Sequence, residues 1–272
     1  MRVLAVNDIS CVGKCSLSVS LPIISACGVT CDVLPTAILS THTGGFEGYT
    51  FRDLTDDIPD IVRHWEQLQI QFDFLYSGYL GSIAQIELVQ TLKRKFLRAG
   101  GKFIVDPVMG DNGALYAGFT PAFVEKMREL CKEADFILPN ATEACYLAKV
   151  EYPAQDSETL TEALRGLCPR PIVTGILENG KNCVYYGDET GVHRYATENI
   201  DGFFCGAGDV FASAFTGALA RGKTEDEAIL LATDFVTAAI RRSATEVEDK
   251  RYGLNFEKEI FHFLQRLNSK RD

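Results

Sequence analysis

Short apolar runs alternate along the whole chain with longer stretches whose apolar residues recur at helical spacing. The runs rich in β-branched and aromatic residues predict strands at Arg2–Val6, Val33–Leu39, Phe72–Ser77, Phe103–Asp106, Phe136–Pro139, Pro171–Thr174, Asn182–Tyr186 and Val192–Ala196. The amphipathic stretches between them predict helices at Lys14–Ala26, Asp53–Leu68, Ile83–Ala99, Pro121–Cys131, Ala141–Ala148, Glu158–Leu167, Asp209–Arg221, Glu225–Arg242 and Glu257–Leu267. Strands that alternate with helices must pair in parallel and carry helices on both faces. The expectation is one α/β domain over residues 1–272, with a mostly parallel doubly wound sheet. Asn182–Tyr186 and Val192–Ala196 flank the turn-rich stretch GDETG and predict an antiparallel hairpin at one edge. Sheets of this kind bind ligands outside the carboxyl ends of their strands, so the search for chemistry starts at the residues that follow each strand.

The first of these stretches, ISCVGKCSLS at residues 9–18, ends in Gly-Lys like a phosphate-binding P-loop. The motif fails, because Asp8 stands where the first glycine belongs and Cys15 where a magnesium-binding hydroxyl belongs. A better cradle is Gly206-Ala207-Gly208-Asp209, which leads directly into an apolar helix. Glycines there let the backbone turn and approach a ligand, and the free N–H groups and helix dipole favour an anion. A carboxylate at the lip of such a cradle repels a resident phosphate. Asp209 is therefore read as a base that takes a proton from an attacking hydroxyl.

Asp106 ends an apolar strand, and Asp111 follows in a Gly-flanked loop. Two carboxylates at one strand exit suit magnesium held with waters. Asn140 and Glu143 have the spacing of a helix capping box, which explains them without any function, and the same residues can also cap and bind metal-phosphate together. Thr224 and Glu227 have the same spacing.

The bulk properties narrow the partners. A formal net charge of −10 disfavours nucleic acid and anionic membrane. No apolar run has the length of a membrane span, and the start of the chain turns polar too soon for a signal peptide. The nine cysteines are odd in number, and they read as reduced, small apolar fillers in a cytoplasmic protein. Cys11/Cys15 and Cys27/Cys31 share a C-x-x-x-C spacing, looser than that of usual zinc knuckles.

With D-P-V-M-G-D at 106–111, P-N-x-x-E at 139–143, G-A-G-D at 206–209, S-G-Y-L-G-S at 77–82 and S-T-H-T-G at 40–44, the chain resembles the pyridoxal (vitamin B6) kinases of the ribokinase-like superfamily. The resemblance implies ATP-dependent phosphorylation of the 5′-hydroxymethyl group of pyridoxal, pyridoxine or pyridoxamine, with Mg2+, a stimulating K+ and a homodimer. It implies Asp209 as catalytic base, with the N–H groups of Gly206, Ala207 and Gly208 as an anion hole. It places Asp106 and Glu143 on the magnesium through water, Asp111 and Asn140 near the phosphates, and Thr174 and Gly175 on the nucleotide side. Thr43 and Tyr79 are implied ring-side contacts, with His42 flanking them as a mainly structural residue. The end of the first strand, Asn7-Asp8-Ile9-Ser10, is implied in the vitamin pocket. Many relatives carry serine where Asp8 falls, so Asp8 and Ser10 both stand as ring contacts. Gly44-Gly45-Phe46-Glu47-Gly48 is implied as a flap. The nearest alternative is hydroxymethylpyrimidine kinase, with identical chemistry on a related ring. A non-catalytic B6-binding protein is the alternative from another class.

Overall fold

A computed structural model describes residues 1–269. In chain order its elements are β1 (Arg2–Val12), α1 (Leu17–Ala26), β2 (Thr30–Thr41), β3 (Phe51–Asp53), α2 (Ile58–Gln67), β4 (Phe72–Ser77), α3 (Ile83–Phe96), β5 (Leu97–Val105), β6 (Gly110–Asp111), β7 (Ala114–Leu115), α4 (Pro121–Lys132), β8 (Phe136–Ile137), α5 (Ala141–Ala148), α6 (Ser157–Arg165), β9 (Ile172–Glu178), β10 (Lys181–Gly187), β11 (Val192–Glu198), α7 (Ala207–Ala220), α8 (Glu225–Glu246) and α9 (Ile260–Asn268). Two short 3-10 turns, Lys250–Tyr252 and Phe256–Lys258, lie before α9.

Six strands form one sheet in the order β3-β2-β1-β4-β5-β8. All neighbours are parallel except β3, which runs antiparallel to β2. Parallel bridges Ile137–Pro171 and Asn140–Thr174 join this sheet to an antiparallel β9-β10-β11 unit. The expected doubly wound architecture and edge hairpin are both present. The chain runs from β1 to β2 on one side, then returns to place β4 on the other side of β1. That reversal opens a crevice at the carboxyl ends of β1 and β4.

Each sheet face is covered, so the central strands read as nearly continuous apolar runs. One face buries Val3, Ala5 and Tyr76 against α1, α7, α8 and α9, with Phe136 edge-on to Phe215. The other buries Leu4, Val6, Leu75 and Phe103 against α2 to α6, with Trp65, Phe72 and Phe96 packed edge to face. The capping boxes Asn140/Glu143 and Thr224/Glu227 both form and start α5 and α8.

The boundaries depart from sequence expectation where the chain leaves regular alternation. β1 runs on to Val12 because it stays paired with β2 as far as Thr41, so α1 begins at Leu17 rather than Lys14. Residues 51–53 pair with Ala37–Leu39 as an edge strand, so α2 begins at Ile58 rather than Asp53. The helix expected from Glu257 starts as a 3-10 turn and becomes α-helical only at Ile260. The small β6–β7 hairpin carries too few residues to leave a periodic signal.

Small residues let α7 lie close on α1. A Cβ on Gly217 would stand 2.5 Å from Cys27 Sγ. Gly217→Val is therefore expected to destabilise the protein by about 1–3 kcal/mol, the range for overpacking a core. Denaturant unfolding measures it, and an unchanged midpoint would contradict this close packing.

Candidate active site at the carboxyl ends of the strands

β1 is apolar until Asn7, which is fully buried. Its side chain fills the crevice between β1 and β4. Asn7 Oδ1 accepts the N–H of Tyr79 at 2.8 Å and that of Asp8 at 3.0 Å. Its Nδ2 donates to Asp209 Oδ1 at 3.4 Å. Gly78 makes room for this, since a Cβ there would stand 2.2 Å from Asn7 Nδ2. The S-G-Y motif after β4 is thus a socket for Asn7, and Asn7 ties the start of α7 to the centre of the sheet. The motifs give Asn7 no role of its own. An amide directly after the apolar run Val3–Val6 is the signal that singles it out.

Gly206 sits at φ +80, a left-handed conformation that glycine adopts without strain. A Cβ there would also come within 2.1 Å of the Lys14 carbonyl oxygen. Beyond it, the first turn of α7 exposes its orphan donors. The Gly206 N–H faces Cys205 Sγ, and the Ala207 N–H donates to Phe204 O at 3.4 Å. The N–H groups of Gly208 and Asp209 have no acceptor among the described residues. The free donors are therefore centred one residue later than the Gly206–Gly208 expectation. Lys14 takes no part: its Nζ pairs with Glu257 at 2.8 Å, consistent with the failed P-loop motif.

Three acids converge around this helix end. Burial lifts the Asp209 carboxyl to about 7, with Asp8 and Cys205 pushing the same way. The Ser16 N–H and the Asn7 amide oppose this by favouring the carboxylate. Asp106 is only 7% exposed, and no group among the described residues donates a hydrogen bond to its carboxylate. Burial, then Glu143 and Asp209, push it well above the usual carboxyl range. Glu143 is also buried and raised to about 7, chiefly by desolvation. Its Oε1 accepts the Met109 N–H at 3.0 Å, and its Oε2 accepts the Asn140 N–H at 2.9 Å. The capping box at 140–143 therefore also orients an acid toward Asp106. A buried carboxylate without a donor, as at Asp106, is costly, and it and Glu143 side by side offer the hard oxygen donors that magnesium takes. Asp106 and Glu143 fit that ion.

The remaining expected residues follow the other strands. Asp111 accepts from Asn112 N–H at 2.8 Å and Nδ2 at 3.0 Å, while Asn140 Nδ2 donates to Gly110 O at 2.8 Å. Thr174 donates its N–H to Pro139 O at 3.0 Å, and Gly175 follows at φ +71 in the middle of β9. Tyr79 leans on Phe119, their centroids 5.9 Å apart. Thr43 is exposed on the loop after β2, and no hydrogen bond involves its side chain among the described residues. Asp8 and Ser10 do not separate into one contact and one bystander. Ser16 Oγ donates to Asp8 Oδ1 at 2.5 Å and Ser10 Oγ donates to Oδ2 at 3.4 Å, all three buried. Ser16 thus serves both Asp8 and Asp209, and it holds φ 57 to do so. The glycine-rich stretch 44–48 is anchored by Phe46, packed edge-on against His42 and Tyr252 beneath Arg251.

Solved structures share this architecture over nearly the whole chain. A candidate phosphomethylpyrimidine kinase of Bacteroides thetaiotaomicron, crystallised with pyridoxal, is 36% identical over 97% of this chain and 95% of its own, with a TM-score of 0.89. The pyridoxal kinase of Lactobacillus plantarum is 32% identical, covers 97% and 96%, and has a TM-score of 0.91. An ADP complex of Bacillus subtilis pyridoxal kinase is 25% identical over 89% and 92%, with a TM-score of 0.76. The fold is that of a ribokinase-like phosphotransferase. The chain belongs to the pyridoxal kinase/phosphomethylpyrimidine kinase family: the family model described as phosphomethylpyrimidine kinase matches residues 23–255.

Two outcomes follow from this geometry. Gly206→Ala should lower the melting temperature, because it strains φ and meets the Lys14 carbonyl. A Cβ on Gly208 meets nothing and its backbone is not left-handed, so Gly208→Ala should keep or raise the melting temperature by removing a helix glycine. It should still weaken nucleotide binding if the free N–H groups of Gly208 and Asp209 take the phosphates, because a methyl then stands on a residue that carries one of them. Melting curves and nucleotide titration of both variants check the contrast. The acids predict a pH effect. In the folded protein without divalent metal they hold protons that the unfolded chain has already released between about 4 and 7. Stability of the metal-free protein should therefore fall as pH rises through that window. Asp106→Asn should raise the melting temperature of the metal-free protein at pH 8. Differential scanning fluorimetry across pH tests both.

Proposed function

We propose that the protein transfers the γ-phosphoryl group of ATP to the 5′-hydroxymethyl group of a vitamin B6 vitamer. The observation that carries the reading is Asp209. One carboxylate, raised to about 7, is held by Asn7 at the sheet centre beside the unpartnered N–H groups of α7. A base near neutrality, in reach of an anion site, suits proton removal from an alcohol as it attacks phosphorus.

Asp209 takes the hydroxyl proton. The N–H groups at the start of α7, centred on Gly208 and Asp209 beside Gly206 and Ala207, receive the charge that develops on the transferring phosphoryl oxygens. Asp106 and Glu143 would hold Mg2+ through water, and that ion would neutralise charge on the ATP phosphates. Asn140 and Asp111 lie beside them toward the phosphates, and Thr174 and Gly175 toward the nucleotide. Tyr79 supplies an apolar ring wall and Thr43 a hydrogen-bonding group. The Asp8–Ser10–Ser16 cluster presents polar atoms toward the ring edge. K+ as an activator, a homodimeric assembly and a cytoplasmic location complete the reading, which the family resemblance supports.

The Bacteroides relative that was crystallised with pyridoxal supports the vitamer as substrate. The description of the matching family model favours a second reading, the same transfer to hydroxymethylpyrimidine or its phosphate. A non-catalytic vitamer-binding protein would have no need of Asp209 or the free N–H groups.

Asp209→Asn tests the mechanism. ADP release with pyridoxal, pyridoxine, pyridoxamine and hydroxymethylpyrimidine, offered in parallel, should show vitamer turnover. The variant should lose at least about 10²-fold in kcat, the scale of general-base catalysis, while binding the vitamer with unchanged affinity. Turnover of the pyrimidine alone selects the second reading. Vitamer binding without turnover in the unaltered protein selects the carrier.

A further inference from the structure

Cys15, His42 and Cys205 come from three separate segments: the turn after β1, the end of β2 and the approach to α7. Their Cys15 Sγ, His42 Nδ1 and Cys205 Sγ atoms lie within 4.8 Å of one another. The two sulfurs are 3.2 Å apart, and Cys205 Sγ is 3.4 Å from Nδ1. None of the phosphoryl-transfer steps above uses these groups.

The imidazole is already set in a ligating form. Its Nε2 lies 2.6 Å from the Arg251 carbonyl oxygen, which can only accept, so Nε2 carries the proton. Nδ1 is then a lone pair, and it accepts the Gly44 N–H at 3.1 Å. A histidine whose remote nitrogen donates to a backbone carbonyl is the usual arrangement at metal centres, because that bond fixes tautomer and ring direction. The ring cannot rotate away, since Gly13 and Phe46 pack against it. Glycine is required at 13, where a Cβ would stand 2.4 Å from His42 Cδ2.

We propose that Cys15, Cys205 and His42 Nδ1 form a binding site for one thiophilic metal ion of the zinc class, distinct from the magnesium site at Asp106 and Glu143. Two sulfurs and an imidazole select zinc or a similarly soft ion, whereas the carboxylates select a hard one. Tetrahedral zinc needs sulfurs about 3.7 Å apart and sulfur–nitrogen separations of about 3.5 Å, from bond lengths near 2.3 and 2.0 Å. The sulfurs need to move apart by roughly half an ångström, and the Gly44 N–H must release Nδ1. Three protein donors leave the fourth position to water. The surroundings favour a cation: Asp8 and Asp209 both act on Cys15 with negative charge. Binding would clamp the turn after β1, the loop after β2 and the residue before Gly206 into one unit.

The full chain, reduced and stripped of metal, is titrated with Co2+ under anaerobic conditions. The expected result is one cobalt per chain, with tetrahedral d–d bands and a thiolate-to-cobalt charge-transfer band that Zn2+ displaces. Zinc should raise the melting temperature of the protein, as any ligand of the folded state does. Cys205→Ser and Cys15→Ser should lose the charge-transfer band, while Cys11→Ser and Cys31→Ser keep it. X-ray absorption of the zinc-loaded unaltered protein should report two sulfur neighbours, and this measurement depends on no variant. The proposal is overturned if cobalt gives no thiolate band, if the band survives Cys205→Ser, or if Cys11→Ser removes it. It is also overturned if the protein prepared without reductant carries a Cys15–Cys205 disulfide and the reduced form still takes up no metal.

Discussion

The site depends on one buried amide. Asn7 stands in β1 just after its apolar run Val3–Val6 and makes three contacts there: two N–H groups donate to its oxygen, and its nitrogen donates to Asp209. A buried polar group is tolerated when its hydrogen bonds are made, and here the bonds are also the geometry. They fix the β4 exit against β1 and set the first turn of α7 over the crevice. Gly78 is required by the Asn7 side chain, and Gly206 by the Lys14 carbonyl beneath it. The two glycines therefore serve one purpose, letting a helix end and a strand end meet without a side chain between them.

Around this contact the protein concentrates buried acids that it pairs with no basic side chain among the described residues. Among the described residues Asp106 has no donor, Glu143 is held by backbone N–H groups beside it, and Asp209 is held by Asn7 and the Ser16 N–H. Such an arrangement destabilises the chain on its own and makes sense with a divalent cation and its nucleotide in place. The N–H groups of Gly208 and Asp209 have the opposite need, an anion. A metal–triphosphate ligand satisfies both at once. That pairing of needs, more than any one motif, is what supports the proposed reading of the crevice as a phosphoryl-transfer site.

Much of this was legible in the sequence. The alternation of strands and helices predicts the doubly wound sheet, and the residues after the strands mark the crevice. Gly206 to Asp209 reads as a helix-end cradle because glycines let the backbone turn and the first-turn N–H groups favour an anion. Asn140 and Glu143 read as a capping box, and they are one, but spacing alone does not reveal that the capping acid also faces Asp106. Ser16 and Asn7 were harder to see, since their roles come from contacts with residues 209 and 79. The cysteines teach the same lesson. Local C-x-x-x-C spacing suggests Cys11 with Cys15, whereas the fold brings Cys15 to Cys205 and leaves Cys11 exposed. The edge strand at residues 51–53 was hidden because its three residues pair through backbone rather than through pattern.

The central claim is that the Asp209 carboxylate, tuned by Asn7, is the group that accepts the proton. The pH dependence of kcat/KM for a B6 vitamer, measured on the unaltered protein and on Asn7→Ser, tests it most directly, because this parameter reports the free enzyme. The account predicts that activity falls as pH drops through about 7. It also predicts that the limb moves to higher pH in the variant, since the lost amide no longer favours the carboxylate. A flat profile between pH 5 and 8, or a limb that stays in place without Asn7, would contradict it.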